Sequence, residues 1–207
     1  MRRQLFVIFV LATLAAACSA QDALVPLTEK VAGHTQEEWS TKWWQWAASF
    51  EDSASPVADT TGKLCHLKQA GDVWFLAGTY EQRRTIRTCK VPAGKYLFFP
   101  LVNSLVLQDP RINMTCPDAV SQVRGSMMGV TSLVLELDGK QSTGLEARRL
   151  SPLQCFDLAA GSGGPMPSAA SGYYIMLRPL SRGTHTLNFG GILPDNTQAV
   201  TYTLKVE

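Results

Sequence analysis

The end of the chain constrains its fold most. Residues 199–207 read AVTYTLKVE, in which Val200, Tyr202, Leu204 and Val206 alternate with Thr201, Thr203 and Lys205. A period of two with one apolar and one wet face is the pattern of a half-buried strand. Such a strand needs a second layer to cover its apolar face. Similar strand signals recur upstream: VWFLAG (73–78) and RTIRTCKV (84–91) read as paired strands, and PAGKYLFFPLV (92–102) as a turn leading into a strand. TSLVLELDGKQSTGLEARRL (131–150) reads as a hairpin with Asp138-Gly139 at its turn and Leu133, Leu135 and Leu137 on one face. YYIMLRPL and THTLNFGGIL precede the final strand, GSGGPMPSAASG (161–172) reads as a flexible loop, and DAVSQVRGSMMG (118–129) as one short helix. About eight strands with little helix predict a mainly β protein, a β-sandwich of Greek-key or jelly-roll type.

One segment breaks the period. In HTQEEWSTKWWQWAASF (34–50), Thr35 and Glu38 form a capping-box signature. At 100° per residue Trp39, Trp43, Trp46 and Phe50 fall in an arc of roughly 60°. This predicts one N-terminal amphipathic aromatic helix clamped on the sandwich, with Trp44 pointing away from the stripe.

The first residues have the layout of an export signal: Met1-Arg2-Arg3, an apolar run from Leu5 to Ala17, then small residues. LATLAAACSAQ (11–21) resembles a bacterial lipoprotein precursor, with Ala15 where Leu is commoner. The expected division is a signal over 1–17, or 1–20 if cleavage follows Ala20, a tether or arm over 18–34, and one β-sandwich domain over 35–207. Cys18 is the lipidation candidate. Without it, Cys65, Cys89, Cys116 and Cys155 remain, an even number suited to two disulfides in an exported protein. Three connectivities are possible; the local pairs Cys65–Cys89 and Cys116–Cys155 are favoured. A four-thiolate metal site would need a C-x-x-C spacing that is absent.

The formal charge is +2, from 19 Lys and Arg against 17 Asp and Glu. Loss of Arg2 and Arg3 balances it, which leaves no overall electrostatic footprint for nucleic acid. Contact with a membrane is expected only through an N-terminal lipid.

The phrases DTTGKLCHLKQAGDVWFLAGTY, CKVPAGKYLFFPLVN and GYYIMLRPLSRGTHTLNFGG, with W-x3-WW-x-W upstream, carry a resemblance. Over most of residues 35–206 the chain resembles a group of uncharacterised bacterial exported β-sandwich proteins. The resemblance implies a compact secreted sandwich and no particular activity.

Signals of catalysis are sparse. His34, His66 and His185 lack metal-ligand spacing, H-E-x-x-H and G-x-S-x-G are absent, and so are the Walker A and Rossmann glycine patterns. No cofactor is expected. A Ser-His-Asp set would have to assemble from distant loops. The polar candidates are Asp59, Gln69, Arg83, Arg87 and Asn103, and three of them have a local structural reading: an Asx turn at Asp59, backbone satisfaction by Gln69, a turn cap at Asn103. The functional alternative groups Asp59, Gln69, Arg83 and Asn103 with Trp44, Tyr80, Tyr173 and Tyr174 at one end of the sandwich, where rings stack on sugars and polar groups read hydroxyls. The sequence therefore points to a non-enzymatic envelope protein that binds a glycan or a protein partner. An envelope hydrolase and a purely structural surface domain are the alternatives.

Overall fold

A computed structural model describes residues 23–81, 83–160 and 165–207. The Cys18 lipidation reading lies outside the described residues. The protein is a β-sandwich. Its strands are β1 (Val73–Phe75), β2 (Thr85–Val91), β3 (Tyr96–Leu107), β4 (Ser132–Leu137), β5 (Lys140–Gln141), β6 (Arg149–Leu150), β7 (Phe156–Asp157), β8 (Pro167–Leu177), β9 (Gly183–Leu193) and β10 (Asn196–Val206). Among the described residues two α-helices accompany them, α1 (Gln36–Ala48) and α2 (Cys116–Ser126).

The first sheet has the order β1-β3-β8-β6, with β7 also on β8; the second has the order β2-β10-β9-β4-β5. The chain changes sheets between β1 and β2, β2 and β3, β3 and β4, β5 and β6, and β8 and β9. VWFLAG and RTIRTCKV are thus not partners: β1 runs parallel to β3, and β2 runs parallel to β10. Residues 76–84 carry the chain from one layer to the other, which is why neighbours in sequence do not pair.

Between the sheets lies an interior of alternating side chains, including Phe99, Leu101, Leu135, Ile175, Leu187, Phe189, Tyr202 and Leu204. The two outer faces differ. The outer face of the first sheet is covered. Trp39, Trp43 and Trp46 of α1 pack with Val73, Phe98, Leu150, Tyr174 and Met176. Ala119, Val120 and Val123 of α2 pack on Ala169 and Val106. Sandwiched on both sides, β8 is buried at every position after Pro167. This explains why residues 167–172 are a strand rather than the loop their composition suggests. Ala169, Ala170, Ser171 and Gly172 are small because α2 or β3 lies against them; a Cβ at Gly172 would come within 2.6 Å of the Asn103 Cβ.

Residues 23–34 lie on the sandwich. Val25 N–H donates to the Met176 carbonyl, Arg178 N–H donates to the Ala23 carbonyl, and Arg178 pairs with Glu29 at 2.7 Å. Disulfides join Cys65 to Cys89 and Cys116 to Cys155, the two local pairs. Such bonds persist in oxidising, exported settings. Among the described residues no helix is long and apolar enough to cross a membrane.

Candidate functional site

The sequence-derived candidates separate in space. Tyr173 and Tyr174 are adjacent on a strand, so their rings point to opposite faces: Tyr173 joins the interior between the sheets and Tyr174 lies under α1. The Tyr174 ring is fully buried, stacked on Phe98 at 5.5 Å, and burial pushes its phenol well above the usual range. Trp44 is half-buried, packs edge-on against Trp43, and donates its indole N–H to the Tyr174 hydroxyl at 2.8 Å; the Asn103 amide donates to the same oxygen at 3.3 Å. Trp44 and the two tyrosines therefore do not present a common exposed ring surface. Tyr80 is 71 % exposed, apart from them in the loop after β1. Arg83 is exposed and faces Glu81 at 3.6 Å.

Asp59 and Gln69 serve the backbone. The Asp59 carboxylate accepts from Thr61 N–H and hydroxyl and from Leu64 N–H. Partial burial works against its ionisation, yet the Leu64 and Thr61 donors outweigh this and hold the carboxyl below its usual value. The Gln69 side chain donates to the Cys65 and Phe75 carbonyls and accepts from Phe75 N–H. Asn103 also lines a polar cavity of about 240 Å³ with Ser104, Ser126, Asp195 and Asn196.

One catalytic-looking trio forms. His185 Nδ1 lies 2.7 Å from Asp138 Oδ2, and its Nε2 lies 3.4 Å from the Ser181 hydroxyl. However, Nε2 is closer to the Ser181 carbonyl oxygen, at 2.9 Å. A nitrogen that donates to a carbonyl has no lone pair with which to take the hydroxyl proton. Asp138 Oδ1 also accepts from Thr186 N–H. The arrangement clasps the β8–β9 and β4–β5 turns together. Among the described residues no group of three or more His, Cys, Asp or Glu could hold a metal ion.

The outer face of the second sheet is different in kind, because among the described residues no helix covers it. The sequence makes it wet: outward positions hold Ile86, Thr88 and Lys90 on β2, Ala199, Thr201, Thr203 and Lys205 on β10, Thr186, Asn188, Gly190 and Ile192 on β9, and Ser132, Val134 and Glu136 on β4. At its centre is an open hollow of about 270 Å³, bordered by Val134, Gly190, Ile192, Thr197, Ala199 and Thr201. Its floor is low because Gly190 has no side chain, and none fits: a Cβ there would run into the Gln198 carbonyl of β10. Val134 and Ile192 leave 43 % and 45 % of their surface in solvent.

A belt of polar side chains runs from the residue before β2 across β10, β9 and β4 beside this hollow. Arg84, just before β2, donates to the Thr201 hydroxyl at 2.8 Å and to the Asn188 side-chain oxygen at 3.0 Å. Thr201 donates to that oxygen at 2.7 Å, and the Asn188 amide donates to Glu136 at 2.7 Å. The register makes this possible, since Asn188 sits opposite both Thr201 and Glu136. Comparison with family models, curated proteins and solved structures finds no match to this chain. The surface must therefore be read from its own chemistry. It offers a fixed row of donors and acceptors beside a shallow apolar floor, without a nucleophile-base pair. Alternation in the sequence shows the wet face of β10 but not this belt, whose members are brought together by strand order alone.

Proposed function

We propose that this protein is a non-enzymatic, envelope-located binding protein whose ligand is a glycan chain lying on the outer face of the second sheet. The observation that carries the reading is the asymmetry of the sandwich. α1 and α2 cover the outer face of the first sheet, while among the described residues the second sheet leaves its outer face bare, with a glycine-floored hollow and a hydrogen-bonded polar belt. Sugars combine apolar C–H patches with hydroxyls, and a flat apolar floor beside ordered donors and acceptors suits both. The Arg84–Thr201–Asn188–Glu136 contacts hold these side chains in place, so little side-chain ordering remains to oppose binding.

An exported location is supported by the two disulfides and by the signal-like start of the sequence. In this reading Cys18 carries a lipid that holds the protein on an envelope membrane. Mass spectrometry of the purified mature N-terminus checks it: a peptide starting at unmodified Gln21 would rule out the anchor.

The test of the ligand reading is a glycan array probed with wild type and with Val134→Gln/Ile192→Gln. Both positions are surface-exposed, so the fold tolerates the exchange. Wild type binds a subset of glycans and the variant loses that binding. A wild type that binds no glycan, or a variant that binds them equally, sinks the reading.

A further inference from the structure

The bare face of the second sheet does not end at the hollow. Along β2 it continues from Ile86 to Thr88 and Lys90, and along β10 from Thr201 to Thr203 and Lys205. The parallel register places Lys205 directly beside Lys90. Like charges opposite each other on neighbouring strands destabilise a sheet. The loop closed by the Cys65–Cys89 disulfide brings a third lysine and an imidazole to the same place, so that Lys63, His66, Thr88, Lys90 and Lys205 enclose a cleft of about 450 Å³ beside Gly62. Lys90 is paired with Glu207 at 2.9 Å. Among the described residues, the ammonium groups of Lys63 and Lys205 have neither an ion-pair nor a hydrogen-bond partner.

Three lysines against one carboxylate leave this concavity cationic, on a chain whose charges otherwise nearly balance. The near-neutral total excludes a broad electrostatic footprint; it does not exclude a local one. An anion seated between Lys63, Lys90 and Lys205 would relieve their repulsion. Arg84 and Lys90 lie six residues apart, about 20 Å at the rise of a strand. The cleft and the polar belt thus stand at two ends of one strip of surface.

We propose that the cleft binds an acidic substituent, a sulfate, phosphate ester or carboxylate, of a polysaccharide whose chain runs along β2 and β10 toward the hollow. This rests on the open-face reading above and adds the charge class of the ligand. The lysines lie in a recess next to the threonine hydroxyls of Thr88 and Thr203, which suits a hydroxyl-rich chain better than a broad membrane surface.

The experiment measures binding of dextran sulfate and of neutral dextran to the full-length protein by calorimetry at low ionic strength. It compares wild type with Lys63→Gln/Lys205→Gln and with the charge-neutral Val134→Gln/Ile192→Gln. Wild type binds dextran sulfate at least about tenfold more tightly than dextran, and added salt weakens that binding. Each lysine contributes about fivefold, so the lysine double variant loses at least about tenfold of the dextran sulfate affinity. Equal affinity for the two polymers, binding of neither, or undiminished dextran sulfate binding by the lysine variant each overturns the proposal. So does binding to phosphatidylglycerol vesicles in place of dextran sulfate, which would assign the lysines to a membrane. If the hollow variant weakens binding and the lysine variant does not, the open face stands as the ligand surface and the charged cleft falls.

Discussion

Arg87 is 1 % exposed, and its guanidinium donates to the carbonyls of Val57, Asp59, Ala77 and Gly78 and to the Tyr202 hydroxyl. It ties the loop after α1 and the segment after β1 to the final strand. Arg87→Met would orphan these carbonyls in the interior and should cost about 3–5 kcal/mol in urea denaturation. Arg87→Lys should recover only part, because a lysine lacks the planar fork. Tyr202 and Tyr174 set an alkaline limit. Burial raises both phenols above their ordinary value, with the Arg87 charge partly offsetting the effect at Tyr202. The folded state therefore keeps protons that the unfolded state loses above about pH 10. Stability contributed by each phenol is intact below that pH. It falls above it by about 1.4 kcal/mol per pH unit until the folded-state value is reached. Denaturation midpoints measured from pH 9 to 11 check this, and Tyr174→Phe should flatten the slope. Ser181 should remain unlabelled by a fluorophosphonate probe, whose reaction there would contradict the clasp reading of the His185 cluster. Asp59 and Gln69 were legible because their partners lie within six residues. Arg87 was not, since its partners come from as far as 115 residues away.

At the scale of elements, α1 was the most legible piece. Its capping box at Thr35 and Glu38 is present, and Trp39, Trp43 and Trp46 are buried. What periodicity could not show is that each of the four indole N–H groups has its own partner. Trp39 donates to Val31, Trp43 to Leu76, Trp44 to Tyr174 and Trp46 to Leu67. The helix is thereby fastened to four separate segments, which gives the Trp cluster a structural role. Over 167–172 strand β8 has the composition of a loop, because small residues mark close packing as readily as they mark loops. Amides of β8 and β3 should exchange with deuterium more slowly than those of β4 and β5, because β8 is covered on both faces. The disulfides close segments of 24 and 39 residues. Replacing either pair by serine should cost about 3–4 kcal/mol, slightly more for Cys116–Cys155, whose loop is longer. Thermal unfolding of the two double variants measures the difference.

The whole molecule is an asymmetric sandwich. Among the described residues the strong apolar signals, from the Trp stripe to the FFPLV and YYIML runs, serve the interior or the covered first sheet. The second sheet's outer face is built from residues that look unremarkable one at a time: threonines, an asparagine, a glycine and scattered lysines. Alternation in the last strand revealed that this face is wet. It could not reveal that β2, β10, β9 and β4 lie side by side, and so could not assemble the Arg84–Thr201–Asn188–Glu136 belt or the lysine cleft. The central claim is that this bare face is the ligand surface. Amide chemical-shift mapping of the labelled protein, titrated with a glycan that binds it on the array, tests that claim most directly. Perturbations confined to residues 84–90, 132–136, 186–192 and 197–205 are the predicted result. Perturbations centred on α1, Tyr80 and the loop around Asp59, with the second sheet unmoved, would contradict it.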